Sequence, residues 1–198
     1  MWIRITTLAL CIGVMACGAR PVELGFWIEP VSFASPRIGG AISASELATI
    51  EVLSRSEIVK AFEPFDVPLT ANRNARYSVR VVQRLNDALM FRKADVAGQS
   101  WAASGFGGSG EVSFDFVANG AMVYSPEDAP RSAVIEALGR ALGRVAVHEF
   151  AHQLVPHKQI HDTRDPNSYE SPVSAAQYFG DMHWDIAGPV LEQRLKRR

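Results

Sequence analysis

Cysteine is almost absent from this chain: Cys11 and Cys17 are the only two in 198 residues. Both lie near the N-terminus, so no disulfide framework can hold the rest, which must rely on a packed core. An excess of one charge is lacking as well. There are 20 Lys and Arg against 21 Asp and Glu, a net charge of -1. No basic stripe or RNA-binding signature appears, which excludes nucleic acid as the expected partner. The basic end Lys196-Arg197-Arg198 reads as a solvated helix terminus that complements the helix dipole. Internal repeats, coiled-coil heptads and low-complexity tracts are missing. Histidine, finally, is absent from the first 147 residues; all five follow, four of them between His148 and His161.

What is present begins with a leader. Arg4 gives a positive start, and Ile5 to Ala16 is an apolar run too short to span a bilayer. Small residues follow, so residues 1–17 read as an export signal. Val14-Met15-Ala16-Cys17 resembles the lipobox of bacterial lipoproteins, with Met15 the looser fit. That resemblance implies a lipidated Cys17 and membrane attachment, against plain cleavage near Ala19 into the periplasm or medium, or a retained anchor. Residues 18–198 are long enough for one domain, read as a monomer, with a main part to about residue 156 and a C-terminal part over 157–198.

Along the chain, Arg20 to Gly40 carries Pro21, Pro30, Pro36, Gly39 and Gly40 and reads as an extended lead-in that packs Phe26 and Trp27 on the body. Ser43 to Phe62 is helical in pattern, with Ser43 and Glu46 forming a capping box and Leu47, Ile50, Leu53, Ile58 and Phe62 giving an apolar side. Tyr77 to Gln83 alternates and is β-branched, which predicts a strand. Leu85 to Lys93 fits a short helix or a strand equally. Asp95 to Gly110, rich in Gly and Ser, reads as a rim loop. Within it Gly105-Phe106-Gly107-Gly108-Ser109-Gly110 matches a dinucleotide fingerprint, but the segment that follows it is strand-like rather than a helix to receive a phosphate, so that reading is rejected. Glu111 to Val117 and Ala121 to Tyr124 are expected to pair as a hairpin about Asn119-Gly120.

A long helix is expected from near Pro130 to Pro156, with Val134, Leu138, Ala141, Val145, His148, His152 and Val155 on its inward stripe. His148 and His152, four apart, lie on one face, so two imidazoles can converge on a cation. Glu149 stands about 100° round the axis, where a carboxylate can meet a coordinated water without ligating the metal. A catalytic zinc commonly takes three protein ligands and keeps one position for water. His161 is the favoured third ligand, since it has room to turn back after the helix; His157, His183, Glu170 and Asp162 are the alternatives. His157 follows Pro156 directly and would need a sharp reversal. Beyond Pro156 the segment to Ser174 is polar, and helix returns from Asp181 to Arg198, interrupted at Gly188-Pro189.

His148-Glu149-Phe150-Ala151-His152, the strands ahead of it and a further histidine soon after resemble the zincin metallopeptidases, and among them the metzincins, over roughly residues 77–170. Metzincins carry a glycine three residues after the second histidine and another histidine three further on; Val155 and Lys158 stand there instead. A loop a few residues longer would deliver His161, followed by Asp162. Asn167-Ser168-Tyr169 is similar to the Met-Ser-Tyr turn that lies below the metal in several members, which makes Tyr169 a candidate catalytic residue beside the metal. A second zincin pattern, with a helical Glu some twenty residues on, would use Glu170, although that region does not read as helix.

The resemblance implies an α+β, zincin-like fold: a twisted mixed sheet on a long active-site helix, with a small irregular and helical C-terminal subdomain. It implies a zinc peptidase acting on peptides or proteins, with Zn2+ on His148, His152 and His161. Glu149 then takes a proton from the zinc-activated water and returns it to the leaving amine. The alternative expectation is a zincin-like surface lipoprotein that binds zinc or a protein partner without cleaving peptide.

Overall fold

The computed structural model describes residues 22–29, 31–85, 96–103, 107–155 and 160–195. The leader with Cys17, most of Leu85 to Lys93, and His157 lie outside the described residues. The architecture is α+β. A five-stranded mixed sheet is built from β1 (Leu24–Ile28), β4 (Leu69–Thr70), β5 (Tyr77–Val82), β6 (Gly98–Ala103) and β7 (Gly107–Ser113) in the order β4-β1-β5-β7-β6. All neighbours are parallel except β6, which runs antiparallel to β7 and forms one edge. A two-stranded ribbon, β2 (Ala34–Ser35) with β3 (Gly40–Ala41), stands apart. Among the described residues, five α-helices complete the fold: α1 (Ala44–Phe62), α2 (Phe114–Tyr124), α3 (Arg131–Leu154), α4 (Ala176–Phe179) and α5 (Ala187–Leu195).

The lead-in is more than a lead-in. Residues 24–28 form an interior strand between β4 and β5, with Leu24 and Phe26 fully buried. Parallel strands covered by helices require such apolar runs. The capping box of α1 is present as expected: the Ser43 hydroxyl accepts from the Glu46 amide, and the Glu46 carboxylate accepts from the Ser43 amide at 2.9 Å.

Two expectations over residues 95–124 are overturned. Gly98 to Ala103 and Gly107 to Ser113 are paired strands rather than a rim loop. Their small residues leave room beneath α3: a Cβ at Gly108 or Gly110 would press on Gln153, and one at Gly98 on Glu149. The expected hairpin about Asn119-Gly120 is the helix α2, which starts directly from β7 with the Ser113 hydroxyl accepting from the Phe116 amide. Phe114, Val117, Ala118 and Ala121 bury one side of it. Gly120 is placed where the ring of Tyr178 leaves no space for a side chain, so tertiary packing overrides the turn preference of Asn-Gly.

The long helix α3 packs on β5, β6 and β7 and is covered by α1 and α2. It is buried on nearly every side, with Arg131, Ser132 and Glu136 its only exposed residues, so it is a central core helix instead of one with a single inward stripe. Its close approach to α1 uses Gly139 and Gly143, where a Cβ would meet the backbone of Ile50 and Ser54. The Ser54 hydroxyl donates to the Gly139 carbonyl at 2.9 Å across that contact. Arg144, 4% exposed, pairs with Glu57 of α1 at 2.9 Å and donates to the carbonyls of Ala176 and Gln177 at 3.0 and 3.1 Å. One buried guanidinium thus ties α3 to α1 and to the C-terminal segment, with its donors taken up by partners, as burial of a charge demands. No helix among the described residues is long and apolar enough to cross a membrane.

Candidate metal centre

The C-terminal half of α3 carries His148, Glu149 and His152 to the end of the helix, and the segment from residue 160 returns toward it. One ring nitrogen from each of His148, His152 and His161 lies within 4.8 Å of the others, and this group could hold a metal ion. The rings form a nearly equilateral set, with centroid separations of 4.7, 4.9 and 4.9 Å. His148 Nε2 and His152 Nε2 are 3.1 Å apart. Two nitrogens at tetrahedral corners around a cation at about 2.05 Å would be about 3.3 Å apart, so the pair is spaced as ligands are.

Protonation fits as well. His148 Nδ1 lies 2.8 Å from the Tyr169 carbonyl, an acceptor only, so Nδ1 carries the hydrogen and Nε2 keeps its lone pair for the cluster. Burial lowers the His148 pKa to about 4; the Tyr169 carbonyl opposes that shift, and His161 adds to it. A group with that pKa is neutral at pH 7 and ready to ligate. Imidazole nitrogens suit a borderline divalent cation such as zinc.

His161 reaches the cluster at a cost. Its backbone φ is 78°, in the left-handed region that side chains other than Gly and Asn rarely adopt. Such a residue persists where its surroundings over-determine it, which occurs often at functional sites. Ile160, buried beside it, anchors the turn.

Glu149, 3% exposed, stands beside the histidines on α3, its carboxylate over the Cα of Gly98 on β6. The Ser100 hydroxyl, two residues along the same strand, donates to the Glu149 carbonyl at 2.9 Å. One turn further, Gln153 exchanges hydrogen bonds with the backbone of Ser78 at 3.2 and 3.1 Å, which fixes the helix on the central strand.

Among the described residues, the other candidate ligands lie outside the converging group. Glu170, fully buried, accepts from the backbone amides of Asp185, Ile186 and Ala187 and from the Ser168 hydroxyl, so it caps the start of α5. His183 pairs with Asp165 at 3.0 Å. Asp162 is exposed and outside the converging group. What Tyr169 gives the cluster is its carbonyl, while its ring packs on Trp184 with centroids 5.0 Å apart. Burial first, then the nearby Glu57 carboxylate, pushes its phenol up to about 12, with Arg144 acting the other way, which places the hydroxyl within the field of the Glu57–Arg144 pair.

Sequence reasoning missed Gly98 and Ser100 as neighbours of Glu149. The signal was there as small residues two apart, which share one face of a strand; read as loop composition, it was lost. No family model, curated protein or solved structure matches the chain.

Proposed function

We propose that this chain is an exported zinc-dependent peptidase of zincin-like architecture, anchored or released according to whether Cys17 is lipidated. The observation that carries the reading is the convergence of His148, His152 and His161 on one point, with the buried carboxylate of Glu149 one residue from the first ligand. A mixed sheet with an antiparallel edge strand lying along a central His-Glu-x-x-His helix supports the fold assignment.

His148, His152 and His161 hold the cation, and the Tyr169 carbonyl fixes the His148 tautomer. When bound, zinc supplies Lewis acidity toward a substrate carbonyl and toward water. Glu149 accepts the proton given up by the attacking water and delivers it to the leaving amine. The Ser100 hydroxyl bonds the Glu149 backbone carbonyl, and Gly98 leaves room for the carboxylate against β6. An extended peptide pairs along β6, which ends the sheet on this side among the described residues. Residues 114–124 are helical, so the sheet edge offered to a peptide is residues 98–103.

The test is direct. Purified mature protein is expected to hold one zinc and to degrade a peptide library, whereas Glu149→Ala keeps the zinc and loses about 10²–10⁴-fold in cleavage rate. Full zinc occupancy with no cleavage by wild type would replace the peptidase by the zinc-binding surface module.

A further inference from the structure

The geometry points to Gly98 as the positioning residue of the Glu149 carboxylate. This rests on the reading of Glu149 as proton carrier, but the contact itself is a matter of shape. A Cβ built on Gly98 would find three atoms of Glu149 nearest to it: Oε1, Cδ and Cγ. The last two would be 2.8 and 2.9 Å away, closer than side-chain atoms come. The three nearest atoms all belong to Glu149, so the collision falls on its side chain.

Gly98 does not have a positive φ, so its absence of a side chain is a question of space and not of backbone conformation. Ser100, on the same face of β6, bonds the Glu149 carbonyl at 2.9 Å and fixes how deeply the strand lies along the helix. Between them, β6 sets the height of the carboxylate relative to the two histidines on its own helix. Buried at 3% exposure, Glu149 has little room to choose another rotamer, so a methyl group at residue 98 displaces it. Displacement by about 1 Å of a group that carries a proton in the reaction is enough for a large loss of rate.

A substitution cycle on the full chain tests this without requiring activity. Gly98→Ala is expected to lower the Tm of the zinc-loaded protein by about 3–8 °C, as overpacking does. In the Glu149→Ala background, where the colliding carboxyl is gone, the same change shifts Tm by less than about 1 °C. Should Gly98→Ala alone fail to fold, recovery of folding on adding Glu149→Ala supports the inference equally. Equal losses in both backgrounds, or failure to fold in both, overturn it. The kinetic arm follows: Gly98→Ala keeps one zinc and a KM within about twofold of wild type, and kcat falls at least about tenfold. An unchanged kcat overturns the inference while the peptidase reading stands. A wild type that binds zinc and cleaves nothing overturns the peptidase reading, and the Tm cycle still decides whether Gly98 places Glu149.

Discussion

Two regions meet at the histidine cluster, and they are built differently. On one side, α3 lies in the core, its histidines His148 and His152 fixed by helical periodicity, by close packing of Gly139 and Gly143 on α1, and by Gln153 bonded to the central strand. On the other, residues 160–195 hold little regular structure before α5, and their shape depends on polar contacts: Glu170 under the amides of 185–187, Ser168 bridged to His183, and Arg144 on the carbonyls of 176 and 177. The first region offers two imidazoles without left-handed backbone at either residue. The second brings His161 in with a left-handed backbone. The difference teaches that a helix can pre-pay for two donors but a third must be delivered by a segment whose own fold rests on a few buried hydrogen bonds.

The largest expected effect comes from breaking the irregular side at its most buried carboxyl. Glu170→Ala leaves three backbone amides without their acceptor and is expected to cost about 2–4 kcal/mol in denaturant unfolding. Zinc affinity is expected to fall as well, although Glu170 lies outside the three-histidine group. A variant with wild-type stability and zinc affinity would show that this segment is held some other way.

A change of opposite sign sharpens the contrast. His161→Gly removes a donor and also relieves the left-handed backbone at residue 161. The metal-free variant is expected to be more stable than metal-free wild type by about 1 kcal/mol, about 2–4 °C in Tm, while its zinc affinity collapses. The same substitution at His148, inside α3, is expected to destabilise the metal-free protein, since glycine in a helix interior costs about 1 kcal/mol. Equal behaviour at the two positions would remove the distinction between rigid and strained ligands.

The helical patterns explain how much could be read in advance. The capping box of α1, strand β5, the span of α3 and the pair His148 and His152 follow from local periodicity and capping chemistry, which sequence displays directly. His161 was reachable by counting residues after the helix, but its positive φ has no local signal. The strand-to-helix junction at Ser113 was misread because the alternation of Glu111 to Val117 spans both elements, and Asn119-Gly120 suggested a turn where the ring of Tyr178 determines a helix. Gly98, Gly108 and Gly110 were read as loop composition when they are clearances for Glu149 and Gln153. At Gly98, Gly108, Gly110 and Gly120 the deciding partner is distant in sequence.

The smallest effect probes the regular side at its surface. Glu46 caps α1 and pairs with Arg131 of α3; the Arg131 hydrogen bond first, then the Ser43 amide, lowers its pKa to about 2. A carboxylate with a depressed folded pKa stabilises above its unfolded pKa of about 4.5, and that stabilisation is lost as pH falls through about 2. Both side chains are partly exposed, at 23% and 40%, so screening keeps the contribution to a few tenths up to about 1 kcal/mol. Glu46→Gln is expected to lower Tm slightly at pH 7, with the difference from wild type shrinking below about pH 4.5 and closing near pH 2. A difference that persists unchanged at low pH would assign the effect to packing alone.

The most direct measurement is a zinc titration of metal-free wild type beside His148→Ala, His152→Ala and His161→Ala. The account predicts one tight equivalent in wild type and a loss of affinity of at least about tenfold in each of the three variants, His161→Ala included. Wild type that takes up no zinc, or a His161→Ala protein that binds it as tightly as wild type, would contradict a three-histidine centre.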